Sequence, residues 1–302
     1  MNRIAQIENL TRLWYEATQM GGGGSQIGEH TECHRLSRNG IFFHQLAYDE
    51  LMSAIGHVTS TLLLPGLNSV IALDHLHLIA WCQQVILDRN HSSLSPLEHR
   101  HYHKMTEICS SLKLIDLHSS GEINRSTEWL TIMGERGMMI ACLAFPLLEA
   151  GLKICCSDFV DINGDIKQDF EISLINKLNQ TYKQKFKVND KKISSLKVLL
   201  QLYHELVAPP PAKEAISIVK HSLSRLHPEV DPLQLIYDWR NSTLHGADSF
   251  STISGTILGL AFIVEISKEQ DKYEELRNQT IDNCRFKSKN ENSMWYFYKH
   301  PI

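Results

Sequence analysis

Apolar residues recur every three or four positions in one segment after another, and proline, glycine or polar turns separate the segments. A helix that buries one face needs that period, so the patterning commits the chain to a largely helical fold. Residues 3–20 are weakly amphipathic. Residues 45–64 carry Leu46, Leu51, Ile55, Val58 and Leu62 near helical spacing, and Pro65-Gly66 breaks the segment. Residues 68–88 repeat the pattern. Residues 95–117 follow, with Ser95 as N-cap and Pro96 at the first helical position. Residues 127–154 read as a long apolar helix with a kink or break at Pro146. Further helices are expected at about 171–184, 192–207, 213–226 and 252–281, with Pro209-Pro210-Pro211 as a stiff connector. Asp231-Pro232 pairs an N-cap residue with proline at the first helical position. The helix it opens should stop at Gly246, a natural C′ residue.

One stretch changes period. FVDINGDIKQDFEI alternates apolar and polar residues around Asn163-Gly164, the favoured two-residue hairpin turn, which predicts a short β-hairpin near 158–172. The expected fold is therefore all-α with one minor β-hairpin. The turn-rich HSSGEINRS suggests a boundary between a helical N-terminal region, residues 1–125, and a helical bundle, residues 126–302. GGGGS at 21–25 belongs to a flexible stretch in which a natural loop and an inserted linker read alike.

Composition excludes some classes. With 43% apolar and 21% charged residues, the chain is not disordered, and a net charge of −4 excludes coating nucleic acid by bulk positive charge. Seven irregularly spaced cysteines read as thiols in a reducing compartment. The first residues lack the apolar core of a signal peptide. The longest apolar runs, Gly137–Leu148 and Thr256–Ile266, fall short of the roughly 18 to 20 residues of a spanning helix. The expectation is a cytoplasmic protein without a membrane segment.

Sixteen histidines, nearly as many as the lysines, raise the question of chemistry. Arg240, Asn241 and His245 occur in that order, and Arg38-Asn39 with His44 repeats the order. With 12 arginines and 16 histidines, roughly two such spacings arise by chance, so context decides. Arg240-Asn241-His245 sits at the end of a capped amphipathic helix before glycine. Arg38-Asn39-His44 has no periodic apolar run before it.

RNSTLHG at 240–246, on a helix and followed by the apolar helix Thr252–Ile266, resembles the HEPN superfamily. AFPLLEAGLKI looks like that superfamily's first long helix. The resemblance covers roughly 130–280, is strong for the seven-residue motif and loose elsewhere. It implies a helical bundle that commonly dimerises. Many members are metal-independent ribonucleases of toxin–antitoxin, antiviral or RNA-processing systems, and others have lost catalysis and only bind. By position, Arg240 and His245 match the catalytic pair and Asn241 the polar residue that follows the arginine. RNA as substrate, a homodimer, an antitoxin or other regulatory protein partner, and no cofactor are what the resemblance implies. The alternative is a non-catalytic HEPN-like binding module.

The residue chemistry agrees. Cleaving RNA without a metal needs a base for the 2′-hydroxyl, an acid for the 5′-oxygen and a cation for the phosphate. Histidine transfers protons near neutral pH, and arginine offers phosphate a permanent planar charge. Asn241 and His245 share a helical face, whereas Arg240 lies about 140° from His245, so the two must converge on a groove rather than touch. One histidine cannot easily be both acid and base, which favours two motifs meeting across a two-fold axis. A histidine before a C-terminal glycine is also an ordinary helix cap. Lys183, Lys185, Lys187, Lys191 and Lys192 form the marked basic cluster and the candidate RNA-backbone contact. Tyr237 and Trp239 are candidates to line the groove.

Other patterns read as structural. His75 and His77, and His99, His101 and His103, lie in expected helices, where i and i+2 point apart, so no metal site is expected. His30, Cys33 and His34 lack a second half. Asp161-x-Asn163-Gly164-Asp165 fails the calcium loop at its first and last positions, where phenylalanines fall. Gly255 and Gly259 allow close helix approach, within the chain or across a dimer seam.

Overall fold

The computed structural model describes residues 2–19, 33–61, 73–89, 105–109, 127–176, 180–190, 192–245 and 253–289. Arg3–Gln19 form α1, Tyr48–Thr61 α2 and Leu73–Asp88 α3. Asp49 and Glu50 occupy the first turn of α2, where the dipole favours carboxylates. Thr127–Cys155 form α4, which runs unbroken through Pro146 instead of ending there. Leu196–Leu202 form α5, continued by a wide turn at Tyr203–Val207. α6 spans Pro210–Leu226 and α7 Pro232–Leu244. The triple proline is thus partly absorbed: Pro210 and Pro211 sit in the first turn of α6, where a missing N–H costs nothing. The helix expected at 252–281 is two helices, α8 at Ser254–Ser267 and α9 at Tyr273–Lys287, separated by a 3-10 turn at Gln270–Lys272. α8 is buried along its whole length, whereas α9 buries only one side, so the chain must turn to leave the core.

The fold is helical with a small two-stranded sheet, as expected, but the strands lie later in the chain. Strand β1, Phe170–Ile175, pairs antiparallel with β2, Thr181–Phe186, in register Phe170↔Phe186 to Ile175↔Thr181. This replaces the helix expected at 171–184. Phe170, Ile172 and Leu174 alternate into the core with period two, and Phe170 stacks on Phe186 at 4.8 Å. The turn around Asn163-Gly164 does form, with Gly164 at φ 89°, yet it closes only the single bridge Val160↔Ile166. The Asp161 carboxylate accepts from the backbone N–H of Asn163 and Asp165 at 2.9 and 2.7 Å, which fixes the turn internally.

α8 is the centre of the bundle, packing on α4, α2, α3 and α6. A helix apolar on every side must be enclosed on every side. Gly259 sits so close to Thr59 of α2 that a Cβ there would collide with the threonine side chain, so the GxxxG serves packing within the chain. Glu265 is the one charge in α8. Arg89 binds it at 2.7 Å and Lys268 at 3.2 Å. Burial raises the pKa of its carboxyl, but Lys268 and Arg89 outweigh that and hold it below the usual range. Apolar residues from both sides of the boundary expected at 125/126, from Ile7 to Cys284, belong to one core. Among the described residues no helix is long and apolar enough to cross a membrane.

Candidate functional site

Local signals fix where α7 begins and ends. The Asp231 carboxylate accepts from the N–H of Gln234 at 3.0 Å, and Pro232 occupies the first turn. The helix ends at Leu244, and His245 takes the C-cap position, its N–H donating to the Asn241 carbonyl at 3.0 Å. Gly246 lies outside the described residues.

Arg240 and Leu244, one turn apart, line a groove of about 270 Å³. Pro146, Glu149 and Lys153 of α4 form the opposite wall, and Ile162 of the 160–166 loop closes one side. Arg240 Nη2 donates to Glu149 Oε2 at 2.9 Å, and Nη1 donates to Asn241 Oδ1 at 3.3 Å. Lys153 Nζ reaches the other oxygen of Glu149 at 3.2 Å. The site therefore holds two cations about one carboxylate and keeps a net positive charge. Arg240 is 25% exposed and Glu149 20%, so water partly screens the pair. A guanidinium carries five N–H donors, and these two bonds leave donors for a phosphate.

His245 is exposed and does not line this groove. The structure thus brings Arg240 and Asn241 together and leaves His245 at the helix end outside the groove, so Arg240 and His245 of one chain do not converge on it as expected. Tyr237 and Trp239 are half-buried and packed against the core, and neither lines this groove. Trp239 meets the His227 ring edge-on at 6.3 Å.

The lysines are spread along the sheet and the loop after it. Lys183 and Lys185 are exposed on β2, and both reach Glu171 on β1, at 3.3 and 3.6 Å. Lys187 follows β2 and is exposed. Lys192 pairs with Asp165 at 2.9 Å, in the same loop that places Ile162 on the groove. Lys191 lies outside the described residues.

Glu149 and Lys153 were not singled out from the sequence. The available signal was their i, i+4 spacing at the end of a run, Gly137–Leu148, that contains no other charge. The second arginine–asparagine–histidine set has a different fate. His44 is buried, stacked on Phe42 at 5.9 Å and edge-on to Trp81 at 6.3 Å. Burial, helped by Arg285 and Arg277, lowers its pKa to about 4. His75 shares a hydrogen bond with Thr61 at 2.7 Å, and burial with Arg35 lowers His77 to about 4. Among the described residues no group of three His, Cys, Asp or Glu is placed to hold a metal ion. His30, His99, His101, His103 and the GGGGS stretch lie outside the described residues.

The chain was compared with protein families, curated proteins and solved structures, and none of them matches it.

Proposed function

We propose that the protein is a metal-independent endoribonuclease of HEPN type, acting as a homodimer in a cytoplasmic defence, toxin–antitoxin or RNA-processing setting. The observation that carries this reading is the Arg240–Glu149–Lys153 constellation in a groove whose α7 wall ends at the exposed His245. Glu149 holds the guanidinium in one orientation, and Asn241 fixes its second nitrogen. A preoriented cation stabilises charge that develops on phosphate better than a mobile one. Lys153 adds a second positive charge on the same side.

His245, in its imidazolium form, protonates the 5′-oxygen as it leaves. The histidine of a second copy, in its neutral form, removes the 2′-hydroxyl proton. The 2′-oxygen attacks the phosphorus, which gives a 2′,3′-cyclic phosphate on one fragment and a 5′-hydroxyl on the other. Asn241 orients Arg240. Lys183, Lys185, Lys187, Lys191 and Lys192 contact the RNA backbone. An antitoxin or other regulatory protein would act by covering the groove.

The experiment is cleavage of single-stranded RNA in EDTA, with end-group analysis. Cyclic phosphate ends, lost in His245→Ala and Arg240→Ala while the fold persists, support the reading. Equal activity in those variants sinks it. One observation favours a second reading, a non-catalytic HEPN-like binding module: Arg240 is already paired with Glu149. Under that reading RNA is bound or ignored but never cut.

A further inference from the structure

A second and larger cavity, about 540 Å³, opens where α1, α2 and α6 meet. That volume lies within the roughly 300–1,000 Å³ of small-molecule sites. Its walls are helix faces. α1 presents Glu8, Arg12 and Tyr15, α2 presents His57 from its last turns, and α6 presents Glu214 and Arg225. Spacings of four, seven and eleven residues keep each set on one face of its helix. Glu8, Arg12, Glu214 and Arg225 are exposed at its rim, and Tyr15 and His57 are half-buried within it. The cavity is not loose packing: a Cβ on Gly56, next to His57, would lie 3.0 Å from the backbone of Ala215 on α6.

The cavity has a charge axis. Glu8 of α1, His57 of α2 and Glu214 of α6 line the cavity together; burial lowers the pKa of His57, and the two carboxylates act against that, so this part of the cavity is acidic. At the other pole Arg225 lies over the Tyr15 ring, 5.1 Å from its centroid. Arg12, between Glu8 and Tyr15 on α1, also lines the cavity and donates to Glu16 at 2.6 Å and Asn9 at 2.8 Å. Seven residues of α1 separate Glu8 from Tyr15, a rise of roughly 10 Å.

We propose that this cavity binds a mononucleotide with an amino-bearing base, the base between Glu8, His57 and Glu214 and the phosphate at Arg12 and Arg225. Exocyclic amines donate to carboxylates, which only accept. A guanidinium stacked on a ring keeps its in-plane donors for a phosphate. The His57 imidazole supplies a flat surface for a base, which a zwitterionic peptide of matching charge does not use. The proposal does not rest on the nuclease reading, because the two cavities share no residue.

Isothermal titration of the full chain with AMP, CMP, UMP and adenosine tests it. AMP and CMP should bind more tightly than UMP, whose carbonyl replaces the amine, and adenosine should bind more weakly than AMP. Arg225→Gln should weaken AMP roughly tenfold or more while leaving adenosine unchanged, as removal of a charge-assisted hydrogen bond requires. Glu214→Gln should narrow the gap between AMP and UMP. His245→Ala should bind AMP as the parent does. Absence of binding at millimolar AMP and CMP, equal affinity for UMP, an unaffected Arg225→Gln protein of intact circular dichroism, or tighter binding of glycyl-lysine than of AMP would each overturn the assignment. Loss of AMP binding in His245→Ala would tie the nucleotide to the end of α7 instead and overturn it too.

Discussion

Arg240-Asn241-His245 and Arg38-Asn39-His44 have the same residue types in the same order and opposite environments. The first set ends a helix whose start is fixed by Asp231 and Pro232, so its arginine reaches a groove and its histidine reaches solvent. In the second, a 3-10 turn at Ser37–Asn39 carries the chain into another at Phe43–Gln45, which buries His44 between aromatic rings. Asn39 directs its amide to the carbonyls of Cys33 and Arg35, at 3.0 and 2.8 Å, instead of to an arginine. A motif is chemistry only where the fold leaves its groups reachable and oriented.

The largest expected effect separates the two sets by activity. His245→Ala or Arg240→Ala should lower RNA cleavage by roughly 10²–10⁴-fold, the usual contribution of proton transfer, whereas His44→Ala should keep full activity per folded molecule. Gel assays in EDTA, normalised by circular dichroism, check both arms. Stability should divide the sets the other way. Removing the buried His44 ring should cost about 2–3 kcal/mol in urea unfolding, while His245→Ala should stay within about 0.5 kcal/mol.

Acid sharpens the same contrast. His44 and His77 have folded pKa values of about 4, below the ordinary 6.5. A depressed value means that the unfolded chain takes up protons first as pH falls. Their contribution is therefore complete above about pH 6.5 and is lost progressively down to about pH 4. Urea midpoints across that window should fall, and His44→Phe, which keeps the stacking and removes the proton site, should flatten the decline.

Smaller effects concern the groove itself. Glu149→Gln should change stability by no more than about 1 kcal/mol, because the pair is partly exposed. It should raise RNA affinity by releasing Arg240 and lower turnover by loosening it, a split visible as KM and kcat moving together downward. The smallest change is expected from Lys183→Ala with Lys185→Ala: near-neutral stability, and a shallower salt dependence of RNA binding by about one unit for each phosphate left without its lysine. An unchanged salt slope would remove the sheet from the RNA path.

Much of the helical layout was legible in the residues. The periodic apolar positions of α2 and α3, the Asp231 cap and the largely apolar run of α8 are signals that act within a turn or two. The sheet was legible only in kind. Asn163-Gly164 turns as its chemistry demands, yet the paired strands form from FEISLI and TYKQKF, where alternating side chains meet the core. The core shared by residues before and after 125 was not legible, because HSSGEINRS marks a break in the chain and not a break in packing.

By itself, the sequence determined most of the helices, the Asp231 cap and the placement of Arg240, Asn241 and His245 at a helix end, because capping, proline geometry and apolar period are local. Tertiary structure decided which arginine meets a carboxylate 91 residues away, which histidine is desolvated, and that charged faces of α1, α2 and α6 enclose a cavity. Those outcomes depend on which surfaces pack together, and packing is a property of the whole chain.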